Sequence, residues 1–298
     1  MENNKKTIAI LGANGMLGSM VYNVLKDNFN LIVFLHGSNK LPLLEKAYGS
    51  INPHESKNFD FNLIYDDYVK GFKNLGASPR YREFLDELGN VDGIVNCAGI
   101  IIPHSLKDCS NTFFINSALP HLLADTFGSK LIHITTDCVF GGSAGFPYDE
   151  NSLPSPTDLY GLSKSLGEPQ NCLTLRTSIV GPEIEGFFSL LGWFKRQEGK
   201  TINGYRRHFW NGITTREFGN ICAKIFKDRS DYPQNGIYHV FSNVVSKYEM
   251  LLKFREKYDI DCEIIADDST ELNRTLSTVK ELNSRLAIPD FDKMLKVL

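Results

Sequence analysis

TIAILGANGMLGSMVYNVLKDNF, residues 7–29, carries the strongest fold signal in the chain. The first five residues are an almost unbroken apolar run, which reads as a buried strand. Gly12, Gly15 and Gly18 follow with the spacing G-x-x-G-x-x-G. Met20, Val21, Val24 and Leu25 then recur at helical spacing. Strand, glycine turn and helix in that order give the motif its meaning. Gly12 permits a tight turn. Gly15 lets a pyrophosphate approach the positive end of the helix, and Gly18 lets the helix lie close on the strand. A plain strand–turn–helix unit would share the pattern.

The stretch sits in an ordinary globular background. The chain has 298 residues, enough for two domains or one large one. It is 42% hydrophobic and 22% charged. A net charge of -3 argues against a general nucleic-acid binder. No apolar run approaches the ~18 residues of a membrane span, so no membrane partner is expected. The N-terminal residues pass straight into the first strand, and no cleavable leader is expected. Cys97, Cys109, Cys138, Cys172, Cys222 and Cys262 are scattered, without a C-x-x-C pair. Neither a metal site nor a disulfide framework follows, and a reducing, cytoplasmic setting is expected.

Downstream, residues 31–36 (LIVFLH) read as the second strand. An NAD-preferring fold places an acid about 20 residues after the motif, on the ribose 2′-OH. Here the residues are His36, Gly37, Ser38, Asn39 and Lys40. His36, Ser38 and Lys40 suit a 2′-phosphate, so NADPH is the expected cofactor, with NADH also usable. Asp60 and Phe61 stand at a strand end, where Asp60 suits an adenine amino group or a helix cap. Ser78-Pro79 reads as the cap and first residue of a helix through Leu88. Residues 91–95 are a short buried strand ending in Asn96-Cys97-Ala98-Gly99. Small residues there leave room for a ligand at the carboxyl edge of a parallel sheet. Cys97 reads as a packing residue. Residues 113–124 read as an apolar helix in which Asn116 needs a hydrogen-bond partner and could brace the catalytic loop through a water.

Residues 131–140 (LIHITTDCVF) read as the fifth strand, with Thr135, Thr136 and Asp137 at its carboxyl end. LYGLSK follows at 159–164, after a Pro-containing loop. Tyr160 and Lys164 are one helical turn apart, on one face. The ammonium is expected to lower the phenol from its ordinary pKa of about 10. Tyr160 is then the proton donor, and Thr136 holds a substrate oxygen.

Taken together, GANGMLG, NCAG, TTDCVF and YGLSK resemble the extended short-chain dehydrogenase/reductase superfamily. TTDCVF, DENSLPSPTDLYGLSK and LTLRTSIVG look most like its dTDP-4-dehydrorhamnose reductase branch. The likeness covers residues 7 to about 220, and NRTLSTVKEL near Arg274 is similar to the branch's closing motif. The resemblance implies a Rossmann-type doubly wound parallel sheet, α/β in class, with a smaller interleaved α/β substrate domain. Residues 1–180, joined by parts of 211–242, would form the NADP-binding domain, and 181–298 the substrate-binding region. It implies Thr136, Tyr160 and Lys164 as the catalytic set. Gly12, Asn14, Gly15, Met16 and Leu17 would hold the pyrophosphate, with Asp60 and Phe61 on the adenine. Asn96, Cys97, Ala98, Gly99, Thr135 and Thr177 would lie on the nicotinamide side. Ile100, His104, Asp137, Val139, Phe140, Arg206, Trp210 and Arg274 are the expected substrate contacts. The implied reaction is NADPH-dependent reduction of a nucleotide-linked 4-keto-6-deoxy sugar, for surface polysaccharide. A homodimer is allowed. An epimerase and a non-catalytic NADP-binding regulatory subunit are the alternatives. A 4,6-dehydratase would carry Glu where Cys138 follows Asp137.

The C-terminal part is less patterned. Residues 186–199 read as an apolar helix in which Trp193 packs in the core. Arg206 and Arg207 suit a diphosphate or a solvated face. Residues 215–226 read as a helix, 236–241 as a strand returning to the main sheet, and Asp267-Asp268 as a cap or loop.

Overall fold

A computed structural model describes residues 5–37, 40–51, 54–71 and 74–298, apart from the side chains of 68 and 103. The chain runs β1 (Thr7–Leu11), α1 (Met16–Leu25), β2 (Asn30–Leu35), α2 (Leu41–Tyr48), β3 (Glu55–Asn58), α3 (Asn62–Val69) and α4 (Pro79–Leu88). It continues β4 (Gly93–Asn96), α5 (Ile102–Ser105), α6 (Cys109–Phe113), α7 (Leu119–Phe127), β5 (Leu131–Thr136), α8 (Leu159–Leu166) and β6 (Leu173–Thr177). The rest is β7 (Ile179–Val180), α9 (Leu190–Phe194), β8 (Thr201–Tyr205), β9 (His208–Trp210), β10 (Ile213–Thr214), α10 (Thr215–Lys227) and β11 (Gly236–His239). Last come β12 (Val245–Ser246), α11 (Lys247–Tyr258), β13 (Glu263–Asp267), β14 (Leu272–Asn273), α12 (Leu282–Leu286) and α13 (Phe291–Lys296).

Seven strands form one parallel sheet in the order β11-β6-β5-β4-β1-β2-β3. The central strands are apolar on both sides because both faces are covered by helices. On one face Val21, Leu25, Phe218, Ile221 and Ile225 join Ile8 and Ile10. On the other, Phe84, Tyr81, Leu119 and Leu123 join Ala9 and Leu11. The strand order reverses between β1 and β4, which opens a crevice at their carboxyl ends.

After β6 the chain leaves the sheet, returns through α10 and β11, and leaves again. α10 lies close on α1, because a Cβ on Gly219 would stand 2.9 Å from Val24 Cβ. β11 adds to the sheet edge beside β6, as its apolar run leads one to expect. The excursions share a separate core of Phe194, Trp210, Met250, Phe254 and Phe291. Its strands are short: β8 pairs with β13, and β9 lies between β12 and β14. The expected helix over 186–199 shrinks to five residues, Leu190–Phe194, capped by Ser189. Trp193 stands 40% exposed beside buried Phe194, so its expected core role does not hold. Among the described residues, no helix is long and apolar enough to cross a membrane.

Candidate active site

The glycine turn forms the floor of the crevice. Gly12 has φ +74°, and a Cβ there would stand 3.0 Å from the backbone of Ala98. A Cβ on Gly18 would run into the Gly12 carbonyl. Both positions therefore require glycine, one for its conformation and one for close packing. Gly15 precedes α1 in extended geometry, no side chain caps the helix, and no acid stands in its first turn. The first N–H groups are thus available to an anion, and the cradle fits a dinucleotide pyrophosphate. The Asn14 side chain braces the turn. Its Oδ1 accepts from the His36 N–H at 2.9 Å and its amide nitrogen donates to the His36 carbonyl at 3.4 Å. It ties the turn to the end of β2.

At the far end of the crevice, polar groups that lie apart in sequence meet. His36 Nδ1 lies 3.5 Å from Asp60 Oδ1. The same carboxylate accepts the Asn62 N–H at 3.0 Å, which is the cap reading of Asp60. Phe61 is buried against Phe59 and Phe84, both at 5.2 Å, so its ring is core and no adenine contact. Lys40 forms an ion pair with Glu185. Ser38 lies outside the described residues.

On the other side of the cradle, Asn96 is buried, accepts from the Ala98 N–H at 3.1 Å and bonds His133 Nδ1 at 3.1 Å. Burial pushes the Cys97 thiol far up, which suits its packing role. Asn116 braces this loop directly, without a water. It accepts the Ile100 N–H at 2.8 Å, donates to the Ile100 carbonyl at 2.9 Å and donates to Ser163 Oγ at 3.0 Å. The segment Phe114–Ala118 that carries it is a π-turn between α6 and α7, where one continuous helix was expected. Pro120 explains the widening, because it has no N–H for the carbonyl four residues back.

Thr136, Asp137, Cys138, Tyr160 and Arg274 come together at the end of β5. Thr136 Oγ1 donates to Asp137 Oδ1 at 3.1 Å and accepts the Cys138 N–H at 3.1 Å. α8 presses on this turn so closely that a Cβ on Gly161 would strike the Cys138 carbonyl. The Tyr160 phenol is shifted opposite to expectation. Burial raises it, the neighbouring Cys138, Asp137 and Asp158 push the same way, and a bond with Thr136 opposes them. Lys164 is buried and donates to the Ile134 carbonyl at 2.8 Å. Burial lowers its ammonium to about 8, against the pull of Glu168. Before any ligand binds, its charge is spent on the strand backbone.

Arg274 reaches the turn after β5 from the C-terminal part of the chain. Its terminal nitrogens lie 3.4 Å from Cys138 Sγ and 3.3 Å from Thr157 Oγ1, and its buried Nε has no hydrogen-bond partner among the described residues. Burial raises the Asp137 carboxyl, with Arg274 and Lys247 opposing. Lys247 is a residue that sequence reasoning missed. Its position at the head of α11 follows from the Ser246–Glu249 capping box, but nothing local places it near Asp137.

The other expected contacts have protein partners of their own. Val139 and Phe140 are fully buried, and Phe140 stacks on Tyr148 at 4.3 Å. Trp210 packs edge-on against Phe291 in the second core. Arg206 and Arg207 pair on the surface with Asp268 and Glu271. Thr135 Oγ1 donates to Glu168 at 2.9 Å, and Thr177 Oγ1 to the Ser178 carbonyl at 3.2 Å. His104 meets Phe188 edge-on at 5.0 Å. Among the described residues, no group of acids, histidines and cysteines could hold a metal ion.

Residues 80–293 match the family described as RmlD substrate binding domain. A probable low-salt glycan biosynthesis reductase of Haloferax volcanii is 29% identical over 277 residues, covering 88% of this chain and 81% of that one. Methionine adenosyltransferase 2 subunit beta of Danio rerio is 27% identical over 272 residues, covering 86% and 75%. The crystal structure of dTDP-4-dehydrorhamnose reductase from Bacillus anthracis, in complex with NADP, superposes with a TM-score of 0.71 at 19% identity, covering 98% of both chains. That likeness shows a shared fold.

Proposed function

The chain belongs to the RmlD substrate binding domain family, and on that premise we propose that it reduces the 4-keto group of a nucleotide-linked 4-keto-6-deoxy sugar with NADPH. The observation that carries the reading is Tyr160. Its phenol keeps its proton at neutral pH, bonds Thr136, and stands beside Cys138 and Asp137. A protonated donor is what a ketone needs as its oxygen gains charge.

A bound nicotinamide dinucleotide supplies the hydride. The turn from Gly12 to Leu17 would hold its pyrophosphate, and Lys164 would turn from the Ile134 carbonyl to a ribose hydroxyl. Tyr160 donates to the developing alkoxide, where fixed donors contribute most, and Thr136 would join it by turning its one proton away from Asp137. Tyr160 gives up its proton there. Among the described residues the Arg274 terminal nitrogens hydrogen-bond a thiol and a hydroxyl, so a sugar or phosphate oxygen would complete their donor set. Asp137 holds the Thr136 hydroxyl, and its own charge is balanced by Arg274 and Lys247.

The test is a panel of dTDP-, UDP- and GDP-linked 4-keto-6-deoxy sugars, followed by loss of nicotinamide absorbance. Oxidation with at least one is expected. Tyr160→Phe should lower kcat by about 10²-fold or more while the dinucleotide still binds. Near-normal turnover in that variant would remove Tyr160 from its role.

A second reading is favoured by the likeness to methionine adenosyltransferase 2 subunit beta along most of the chain. In it, the chain binds a nicotinamide dinucleotide without turnover and associates with another enzyme. Dinucleotide binding with no oxidation across the panel would select it.

A further inference from the structure

The segment between β7 and α9 crosses the crevice as a strap. Glu183 ties its two arms together: its carboxylate accepts the Phe188 N–H at 3.2 Å, the Ser189 N–H at 3.0 Å and the Ser189 hydroxyl at 2.8 Å. Ile184 packs against the core of the main sheet, and Gly186 makes the bend with φ +86°. The strap then touches the dinucleotide half at two places. Phe188 meets His104 beyond β4, and Glu185 pairs with Lys40 beyond β2. The first is the nicotinamide end of a Rossmann crevice and the second is the adenosine ribose end.

At the ribose end both side chains suited to a 2′-phosphate already face carboxylates. His36 stands 3.5 Å from Asp60, and Lys40 holds Glu185. Asp60 is adjacent in the sheet order, through β3. Glu185 comes from the substrate side of the chain. We propose that Glu185 is a cofactor-selectivity residue, delivered by the strap to the ribose pocket, where it holds the preference for a 2′-phosphate down. A 2′-phosphate must either take Lys40 away from Glu185 or sit beside a carboxylate. A ribose 2′-hydroxyl meets neither cost and can donate to a carboxylate. The pair is exposed, with side chains 31% and 55% accessible, so its effect is modest and screened by salt.

The proposal rests on the chain binding a nicotinamide dinucleotide, and the test separates the two. Dissociation constants for NADP⁺ and NAD⁺ are measured by calorimetric titration at low and at high salt, in the unaltered chain and in Glu185→Gln. The variant should raise the NADP⁺/NAD⁺ affinity ratio by about tenfold at low salt and by less at high salt. Lys40→Met should move the ratio the other way. An unchanged or lowered ratio in Glu185→Gln, with both dinucleotides still binding, overturns the selectivity role alone. Binding of neither dinucleotide to the unaltered chain removes the nicotinamide reading, and the proposal with it.

Discussion

Tyr160 and Lys164 show how much a pair of residues can promise and how their surroundings revise it. Four residues apart on α8, they share a face as helical geometry dictates. Their coupling was expected to lower the phenol, yet burial raises it and the ammonium turns to the Ile134 carbonyl. Burial also costs the lysine, whose ammonium falls to about 8. A lysine depressed in the folded state weakens the fold at pH values below that, and the cost is relieved as pH rises from about 8 towards its ordinary 10.5. Lys164→Met should therefore stabilise the ligand-free protein at pH 7 by about 1 kcal/mol or more, since an apolar side chain replaces a buried charge. Thermal unfolding reads the stability, and dinucleotide titration should show weakened binding in the same variant. A lowered melting temperature would mean that the Ile134 bond outweighs the desolvation.

At the scale of elements, the long strongly patterned segments were the readable ones. The helix from Pro79 was legible because Ser78 caps it and proline begins it. The break between α6 and α7 was hidden, because an apolar run at helical spacing looks the same across a π-turn. That turn aims Asn116 at Ile100 and Ser163, joining the loop after β4 to α8. Asn116→Ala leaves the Ile100 N–H and carbonyl without their partner in a confined site. A loss of about 1–3 kcal/mol is expected, read by denaturant unfolding. Catalytic turnover should fall with it, whereas Asn116→Asp should keep the Ile100 N–H bond and recover part of the stability. The helix expected over 186–199 failed for a related reason. Its apolar residues are shared between a short helix and the strap, and Glu183 makes bonds that periodicity does not report.

For the whole molecule, one buried network ties the sheet to the returning C-terminal chain. Arg176 pairs with Glu168 at 2.5 Å and donates to His239 Nε2 at 2.8 Å. A guanidinium can only donate, so this nitrogen accepts and Nδ1 carries the proton towards the Ser277 carbonyl at 2.8 Å. Glu150 accepts the His239 N–H at 2.9 Å and the Thr278 hydroxyl at 2.7 Å. Burial, with Arg176 beside it, lowers the His239 imidazole to about 4. Between pH 6.5 and about 4 the unfolded chain takes up a proton that the folded chain refuses, so stability falls as pH falls through that window. His133, also buried, acts in the same direction. Melting temperature measured against pH should decline across this range, and less steeply in His239→Gln. An identical slope in the two proteins would remove His239 from the acid response.

Features that depend on neighbours along the chain are legible without the fold. The strand, glycine turn and helix at residues 7–25, the cap at Ser78 and the one-turn spacing of Tyr160 and Lys164 are local, and local sterics and hydrogen bonding specify them. Which distant groups share an environment emerges from the folded chain. It brought Arg274 to Cys138 and Glu185 to Lys40, and it sent Trp210 and Phe140 inward and Arg206 to the surface. The physical reason is that burial and charge pairing are set by three-dimensional neighbours. An arginine or tryptophan in a weakly patterned stretch carries no local mark of which neighbours it will have.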